Sequence, residues 1–162
     1  MRAAHLFAAS LAALATACAT EPGASAQGAR TAAAGEPEFR ALYKELIEIN
    51  TTLSQGSCTK AAEAMKARLS AAGYPAGDLH VLADPKRPQD GNLIAVLPGT
   101  DASKKALLLL AHIDVVEANR ADWERDPFKL TEEGGFFYAR GAMDDKAMAA
   151  IFTDSMVRYK RE

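Results

Sequence analysis

The chain has 162 residues, of which 49% are hydrophobic, so it is long enough to form one domain around a buried core. Its formal net charge is −2, and the sequence contains no basic run interleaved with aromatic residues. Such runs are typical of nucleic-acid-binding surfaces, so the composition argues against a nucleic acid as partner.

The N-terminus has the pattern of an export signal. Residues 1–17 combine the charged Arg2 with the apolar stretch Leu6–Leu14, which is too short to span a bilayer. The sequence that ends at Cys18 resembles a bacterial lipoprotein box, which predicts a lipid anchor at Cys18. The alternatives are ordinary cleavage after Ala26 and a first helix of the folded domain. We expect a periplasmic protein or a membrane-anchored lipoprotein of a bacterium.

Residues 18–35 are predicted to form a flexible tether, because such small and polar residues bury too little apolar surface to fold. The folded part is expected over residues 36–162. Its first helix is predicted from Phe39 to Ile49, where apolar residues recur at helical spacing.

A second helix is predicted at Cys58–Ala72, with Ser57 or Thr59 as its N-cap and Gly73 as its stop signal. Cys58 lies on the apolar face of this helix and has no histidine near it in the sequence. We therefore interpret it as a buried structural thiol rather than a nucleophile.

Three strands are expected next, at Leu79–Ala83, Asn92–Leu97 and Ala106–Ala111. The last is a continuous apolar run, typical of a strand buried on both faces, although a buried helical segment also fits. Val115 and Val116 favour the strand because β-branched residues prefer strands. The order of helices and strands predicts an α/β fold, specifically a three-layer α/β/α sandwich with a mixed, mostly parallel sheet.

Candidate metal-binding residues follow the apolar run directly. His112 and Asp114 are two residues apart, so in an extended chain their side chains point to the same face. In α/β proteins, ligands bind beyond the carboxyl ends of the strands, where both residues are expected. A metal-bound imidazole usually donates its second N–H to a carboxylate, and Asp114 is placed to accept it. The alternative is a polar strand end with an ordinary hydrogen-bonded histidine.

Two adjacent carboxylates precede a third predicted helix. Phe136–Tyr138 is predicted to be a short strand, and Asp144 and Asp145 then come directly before a helix that begins near Lys146. The apolar positions within Met148–Tyr159 share one face of that helix. Helix capping explains one carboxylate at this place, but one cap is sufficient. A carboxylate is also a good bridging ligand between two divalent ions.

Three segments together resemble the zinc-binding half of a metallohydrolase family: AHIDVV, DW…DPF and YARGAMDDKAMAA. The family includes glutamate carboxypeptidase, aminoacylase, acetylornithine deacetylase and succinyl-diaminopimelate desuccinylase. The resemblance extends from Glu36 to Glu162 and is strongest over Leu107–Ala150. One departure is Ala139, where the family often has glycine. Trp123, in the DW…DPF loop, fits a packing anchor better than a substrate contact.

The resemblance implies a zinc-dependent peptidase or amidohydrolase that holds two Zn²⁺ ions and cleaves amide bonds of peptides or N-acyl amino acids. It implies that His112 binds one zinc ion and that Asp144 bridges both. It further implies that Asp114 is the catalytic-site residue that orients His112, and that the peptide bond between Asp144 and Asp145 is cis.

The number of candidate ligands is too small for a complete site of this kind. The chain has three histidines, His5, His80 and His112, and only His112 lies in a matching motif. The family supplies a catalytic glutamate, further ligands and a lid or dimerisation domain from regions expected beyond Glu162. We therefore expect the N-terminal part of a longer enzyme, inactive by itself. The alternatives are a non-catalytic exported lipoprotein or binding module derived from the fold, and a one-zinc aminopeptidase of related fold.

Overall fold

The computed structural model describes residues 33–162. The predicted signal peptide at residues 1–17, the predicted lipid anchor at Cys18 and most of the predicted tether lie outside the described residues.

Helix α1 spans Glu36–Glu48, close to its predicted position. Pro37 lies in the first turn, where it costs no hydrogen bond because the first N–H groups of a helix have no partner within it. The face that the apolar spacing predicted is buried, and its innermost residues are Leu42, Tyr43, Leu46 and Ile47.

Helix α2 spans Cys58–Ala71 and begins at the predicted cap. The hydroxyl of Ser57 accepts a hydrogen bond of 3.1 Å from the backbone N–H of Lys60. Gly73 follows the helix with a φ of +96°, a conformation that glycine adopts without strain. The sequence prediction of both ends is therefore confirmed.

Replacing Ser57 with alanine is expected to lower the free energy of unfolding by about 1 kcal/mol, because the N–H of Lys60 loses its acceptor. Urea unfolding followed by circular dichroism measures the loss. Ser70→Ala is the matched control, since Ser70 is exposed near the other end of the same helix. An equal effect of the two substitutions would show that the cap contributes nothing.

The strands form two antiparallel hairpins. Strand β1, Leu79–Asp84, pairs with β2, Arg87–Ala95. Strand β3, Thr131–Glu133, pairs with β4, Phe136–Tyr138. The second expected strand thus starts earlier than predicted, because β1 pairs with the residues directly after the turn at 85–86.

The prediction of a buried strand at Ala106–Ala111 is wrong. These residues are apolar, as a buried strand would be, but they pair with no other strand of the described residues. The side chains of Leu107, Leu108 and Leu110 are 78–82% exposed rather than buried on both faces. A strand requires hydrogen-bonded neighbours. Within residues 33–162, this part of the chain has a single parallel bridge, between Thr52 and Val115. The described sheets are antiparallel, so the mostly parallel three-layer sandwich stays a prediction.

Helix α3 spans Lys146–Tyr159 and packs against α1 and α2. Its buried face differs from the predicted one: Met148, Ile151 and Tyr159 are exposed, whereas Lys146 and Ala150 are fully buried. Small alanine side chains allow the backbones of two helices to approach closely. The face of α3 that contains Ala147 and Ala150 therefore packs against the core.

The core consists of two clusters. The first joins α1, α2 and α3 through buried residues, namely Leu42, Tyr43, Leu46, Ile47, Ala61, Met65 and Ala150. The second lies between the end of α2 and β1, namely Leu69, Tyr74 and Leu79. No helix within the described residues is both long and apolar enough to cross a membrane.

Candidate metal centre

The structure brings His112 and Asp144 together, although they are 32 residues apart in the chain. The imidazole Nε2 of His112 lies 3.0 Å from Oδ1 of Asp144. His112 lies in the extended segment before the bridge at Val115, and Asp144 lies just before α3. The two segments therefore meet at one place on the surface.

Asp114 holds the other side of the same imidazole. The Nδ1 atom of His112 lies 3.3 Å from a carboxylate oxygen of Asp114 and 3.2 Å from its backbone carbonyl oxygen. This contact is of the kind that fixes the ring orientation and the tautomer of a metal-bound histidine. The structure thus places Asp114 beside Nδ1 of His112, and its orienting role stays a prediction.

The two carboxylates also change the protonation of His112. Partial burial by itself lowers the pKa of His112, but hydrogen bonds to Asp144 and Asp114 and their negative charges raise it above its ordinary value. Both ring nitrogens face acceptors, and only the imidazolium form can donate to both. A metal ion at Nε2 competes with this proton, since a metal-bound imidazole is neutral.

All three side chains are accessible to solvent. The side chain of His112 is 52% exposed, that of Asp114 is 74% and that of Asp144 is 82%. Two clefts are lined by His112 and Asp114, one of about 480 Å³ that also reaches Thr51 and Cys58, and one of about 290 Å³ beside residues 139–144. A ligand has access to the imidazole from both.

The peptide bond between Asp144 and Asp145 is cis, as the resemblance implied. Asp145 occupies the N-cap position of α3, yet its side chain makes no capping hydrogen bond. Capping therefore does not explain this carboxylate. Asp144, by contrast, has its carboxylate directed at His112.

Lys146 is the residue that the sequence interpretation missed. Its side chain is fully buried, and its ammonium group donates hydrogen bonds to the backbone oxygens of Leu46, at 3.0 Å, and Ile49, at 2.7 Å. Burial lowers the pKa of Lys146 to about 8. The signal in the sequence is its spacing from Ala150, because residues four apart share a helix face.

Cys58 fits the structural interpretation better than a nucleophilic one. Its side chain lines the larger cleft but is partly buried. Burial, followed by the negative charges of Asp114 and Asp90, raises the pKa of the Cys58 thiol above its ordinary value. A catalytic cysteine needs the opposite shift.

The loop that contains Trp123 is held by packing, as predicted. Pro127 is fully buried, and its carbonyl oxygen accepts a hydrogen bond of 2.7 Å from the backbone N–H of Arg140. The guanidinium of Arg140 lies 5.0 Å from the centre of the Trp123 ring. This loop thereby fixes the start of the segment that leads to Asp144.

His112 and Asp144 are side chains of the types that bind zinc, but two ligands are fewer than a catalytic zinc site uses. Imidazole nitrogen and carboxylate oxygen are both ordinary zinc ligands, whereas a catalytic zinc takes three protein ligands. Within residues 33–162, no group of three or more His, Cys, Asp or Glu side chains is arranged to hold a metal ion. His112 and Asp144 can therefore supply only part of a catalytic site.

Residues 108–162 match the family model described as peptidase family M20/M25/M40. Acetylornithine deacetylase of Myxococcus xanthus is 36% identical over 114 residues, which are 70% of this chain and 29% of that protein. Aminoacylase-1 of Sus scrofa is 27% identical over 131 residues, which are 79% of this chain and 30% of that protein.

The structure of human carnosine dipeptidase 1 is similar to this one, with a TM-score of 0.59 and 25% sequence identity over 79% of this chain and 29% of that chain. The fold is thus α/β and of the kind found in these hydrolases. The chain spans less than a third of the length of each of the three relatives. The match to peptidase family M20/M25/M40 covers residues 108–162, and these residues include His112, Asp114 and Asp144.

Proposed function

We propose that this chain contributes two ligands to a two-zinc site of an exported peptidase or amidohydrolase. The observation that carries the proposal is the approach of His112 Nε2 to Asp144 Oδ1 at 3.0 Å, with Asp114 at the opposite ring nitrogen. An imidazole nitrogen and a carboxylate oxygen that lie 3.0 Å apart are close enough to bind the same metal ion. The relatives whose names describe a deacetylase, an aminoacylase and a dipeptidase support hydrolysis of an amide bond.

In this proposal each residue has a separate task. His112 would hold one zinc ion, and Asp114 would keep its ring in the required orientation. Asp144, with two carboxylate oxygens, would be the ligand shared between the two ions. Zinc, when bound, supplies a water molecule of lowered pKa and a polarised substrate carbonyl. The proton acceptor and the remaining ligands have to come from outside the described residues, since those residues offer no third ligand at this point.

The substrate class follows from the same relatives and from the shape of the surface. We propose amide bonds of peptides or of N-acyl amino acids. The two clefts that meet at His112 provide room for groups on either side of a scissile bond. The three-layer α/β/α sandwich, with a mostly parallel sheet, is the architecture in which we expect these elements to lie.

Export is part of the proposal and depends on residues outside the described range. The charged and apolar pattern of residues 1–17 supports a signal peptide, and Cys18 supports a lipid anchor. Labelling of the expressed protein with a radioactive fatty acid, with Cys18→Ser as control, tests the anchor. Loss of the label in the variant is the expected result, and label in neither protein would contradict the anchor.

The 162-residue chain, refolded with zinc, is expected to hydrolyse neither dipeptides nor N-acetyl amino acids and to lose zinc during gel filtration. Two ligands leave a zinc ion one short of the three that a catalytic site uses. Elemental analysis of the eluted protein measures the metal, and a chelator-treated sample serves as the blank. Stoichiometric zinc in the eluted protein, or turnover above the blank, would contradict the expectation of an incomplete site.

A second candidate function is a non-catalytic exported binding module. It is favoured by one observation, the lack of a third metal ligand among residues 33–162. The reading frame after codon 162 decides between the two candidates. Further histidine and glutamate motifs support the hydrolase, whereas a stop codon in the native gene supports the binding module.

A further inference from the structure

The segment that follows α1 contacts residues close in the chain to both His112 and Asp144. The hydroxyl of Thr51, a residue only 1% exposed, donates a hydrogen bond of 2.6 Å to the backbone oxygen of Ile113. The backbone oxygen of Thr51 accepts a hydrogen bond of 3.2 Å from the N–H of Val115. Thr51 therefore holds the chain at two points just after His112.

The same segment also holds the chain next to Asp144. Lys146, two residues further on, donates a hydrogen bond to the backbone oxygen of Ile49. Ile49 and Thr51 are separated by one residue, so the His112 segment and the Asp144 segment are attached to almost the same place.

The two segments also pack directly on each other. Gly141 has a φ of +79°, and a Cβ atom at this position would lie 2.7 Å from Cγ1 of Val115 and 3.3 Å from Cδ of Lys146. Such a contact with Val115 is closer than packing allows, so the loop before Asp144 lies tightly against the extended segment that Thr51 binds. A displacement of Val115 is therefore passed to the Asp144 segment.

We infer that Thr51 is a positioning residue of the metal centre: its hydroxyl sets the place of the His112 segment relative to Asp144. The inference rests on the proposed metal site. The backbone oxygen of Ile113 is partly buried, and leaving such an oxygen without a donor is costly. The hydroxyl of Thr51, a buried residue, donates to it at 2.6 Å. The Thr51 hydroxyl bonds to the backbone oxygen of Ile113, so its effect on His112 passes through the backbone.

Thr51→Val removes the hydroxyl and keeps the shape of the side chain, whereas Thr51→Ser keeps the hydroxyl. The control is Thr153→Val, because the Thr153 hydroxyl also donates to a backbone oxygen, that of Ala149, within α3. The readout is the ¹⁵N spectrum of the histidine rings of the full 162-residue chain, recorded at constant pH without metal and during a titration with Zn²⁺. Thr51→Ala makes the same comparison if Thr51→Val does not fold.

We expect Thr51→Val to weaken zinc binding at His112 by about tenfold, the lower end of the effect of removing an indirect partner of a metal ligand. Thr51→Ser should bind as the unmodified chain does, and so should Thr153→Val. Binding by Thr51→Val as tight as that of the unmodified chain would overturn the inference. Equal weakening in Thr51→Val and Thr51→Ser would also overturn it, because the hydroxyl would then not be the cause.

The metal-free spectrum separates this inference from the proposed function. If zinc leaves the His112 resonances of the unmodified chain unchanged, the proposed metal site fails. The positioning role is then decided by the metal-free Nε2 resonance, which depends on the contact with Asp144. A displaced resonance in Thr51→Val supports the role, and an unchanged one overturns it.

Discussion

Replacing Lys146 with methionine is expected to lower the free energy of unfolding by about 2–4 kcal/mol, because buried carbonyl oxygens lose their donor. The ammonium group of Lys146 donates to the backbone oxygens of Leu46 and Ile49, at the C-terminal end of α1. The last carbonyls of a helix have no partner within the helix, and a positive charge there is also favourable for the helix dipole. Methionine has a similar length but cannot donate.

The loss is partly offset by the cost of burying the charge. That cost is visible in the pKa of Lys146, which burial lowers to about 8. We still expect a net loss, since removing one partner of a buried polar pair usually costs more than the pair contributes. Urea unfolding of the full chain gives the value. Lys60→Met is the control, because Lys60 is exposed on α2. Equal stability of the two variants would show that the buried contacts contribute nothing.

Asp144→Asn is expected to weaken zinc binding by about tenfold or more, since loss of even an indirect partner of a metal ligand has an effect of this size. Asparagine keeps the shape of the side chain but lacks its negative charge. Asp145→Asn is the matched control: it removes the same charge one residue away, and asparagine is an equally good residue at the N-cap of α3. Binding is measured by equilibrium dialysis of the full chain. If both substitutions weakened zinc binding equally, the cause would be the lost negative charge and not ligation of zinc by Asp144.

The helices could be predicted from the sequence because their signals are local. The spacing of apolar residues located α1, and Ser57 and Gly73 marked the two ends of α2. The turn between β3 and β4 is also local, since it consists of the adjacent glycines Gly134 and Gly135, which both adopt positive φ angles. Each of these features is decided by residues within a few positions of one another.

The strand at Ala106–Ala111 could not be predicted in the same way, because pairing depends on distant segments. The apolar run carries the composition of a buried strand, but composition does not state which segment pairs with it. In the described residues, the only parallel partner near it is Thr52, at Val115. The result is an exposed row of leucines where a buried strand was expected.

The proposed members of the candidate metal centre could be named from the sequence, whereas the residues that hold their segments in place could not. His112, Asp114 and Asp144 were found because their residue types and order resemble a known motif. Lys146 and Thr51 were missed because their partners lie far away in the chain: Lys146 bonds to Leu46 across 100 residues, and Thr51 bonds to Ile113 across 62. The spacing of Lys146 from Ala150 indicates a shared helix face, but a single sequence does not show which distant backbone oxygens a side chain meets.

The most direct test of the account is a zinc titration of the full chain observed at the nitrogen atoms of the histidine rings. We predict that the Nε2 resonance of His112 moves as zinc is added and that the resonances of His80 stay in place. In Asp144→Asn the same movement should require zinc concentrations about tenfold higher or more. A His112 resonance that zinc does not move, or that moves equally in Asp144→Asn, would contradict a metal ion shared by these two side chains.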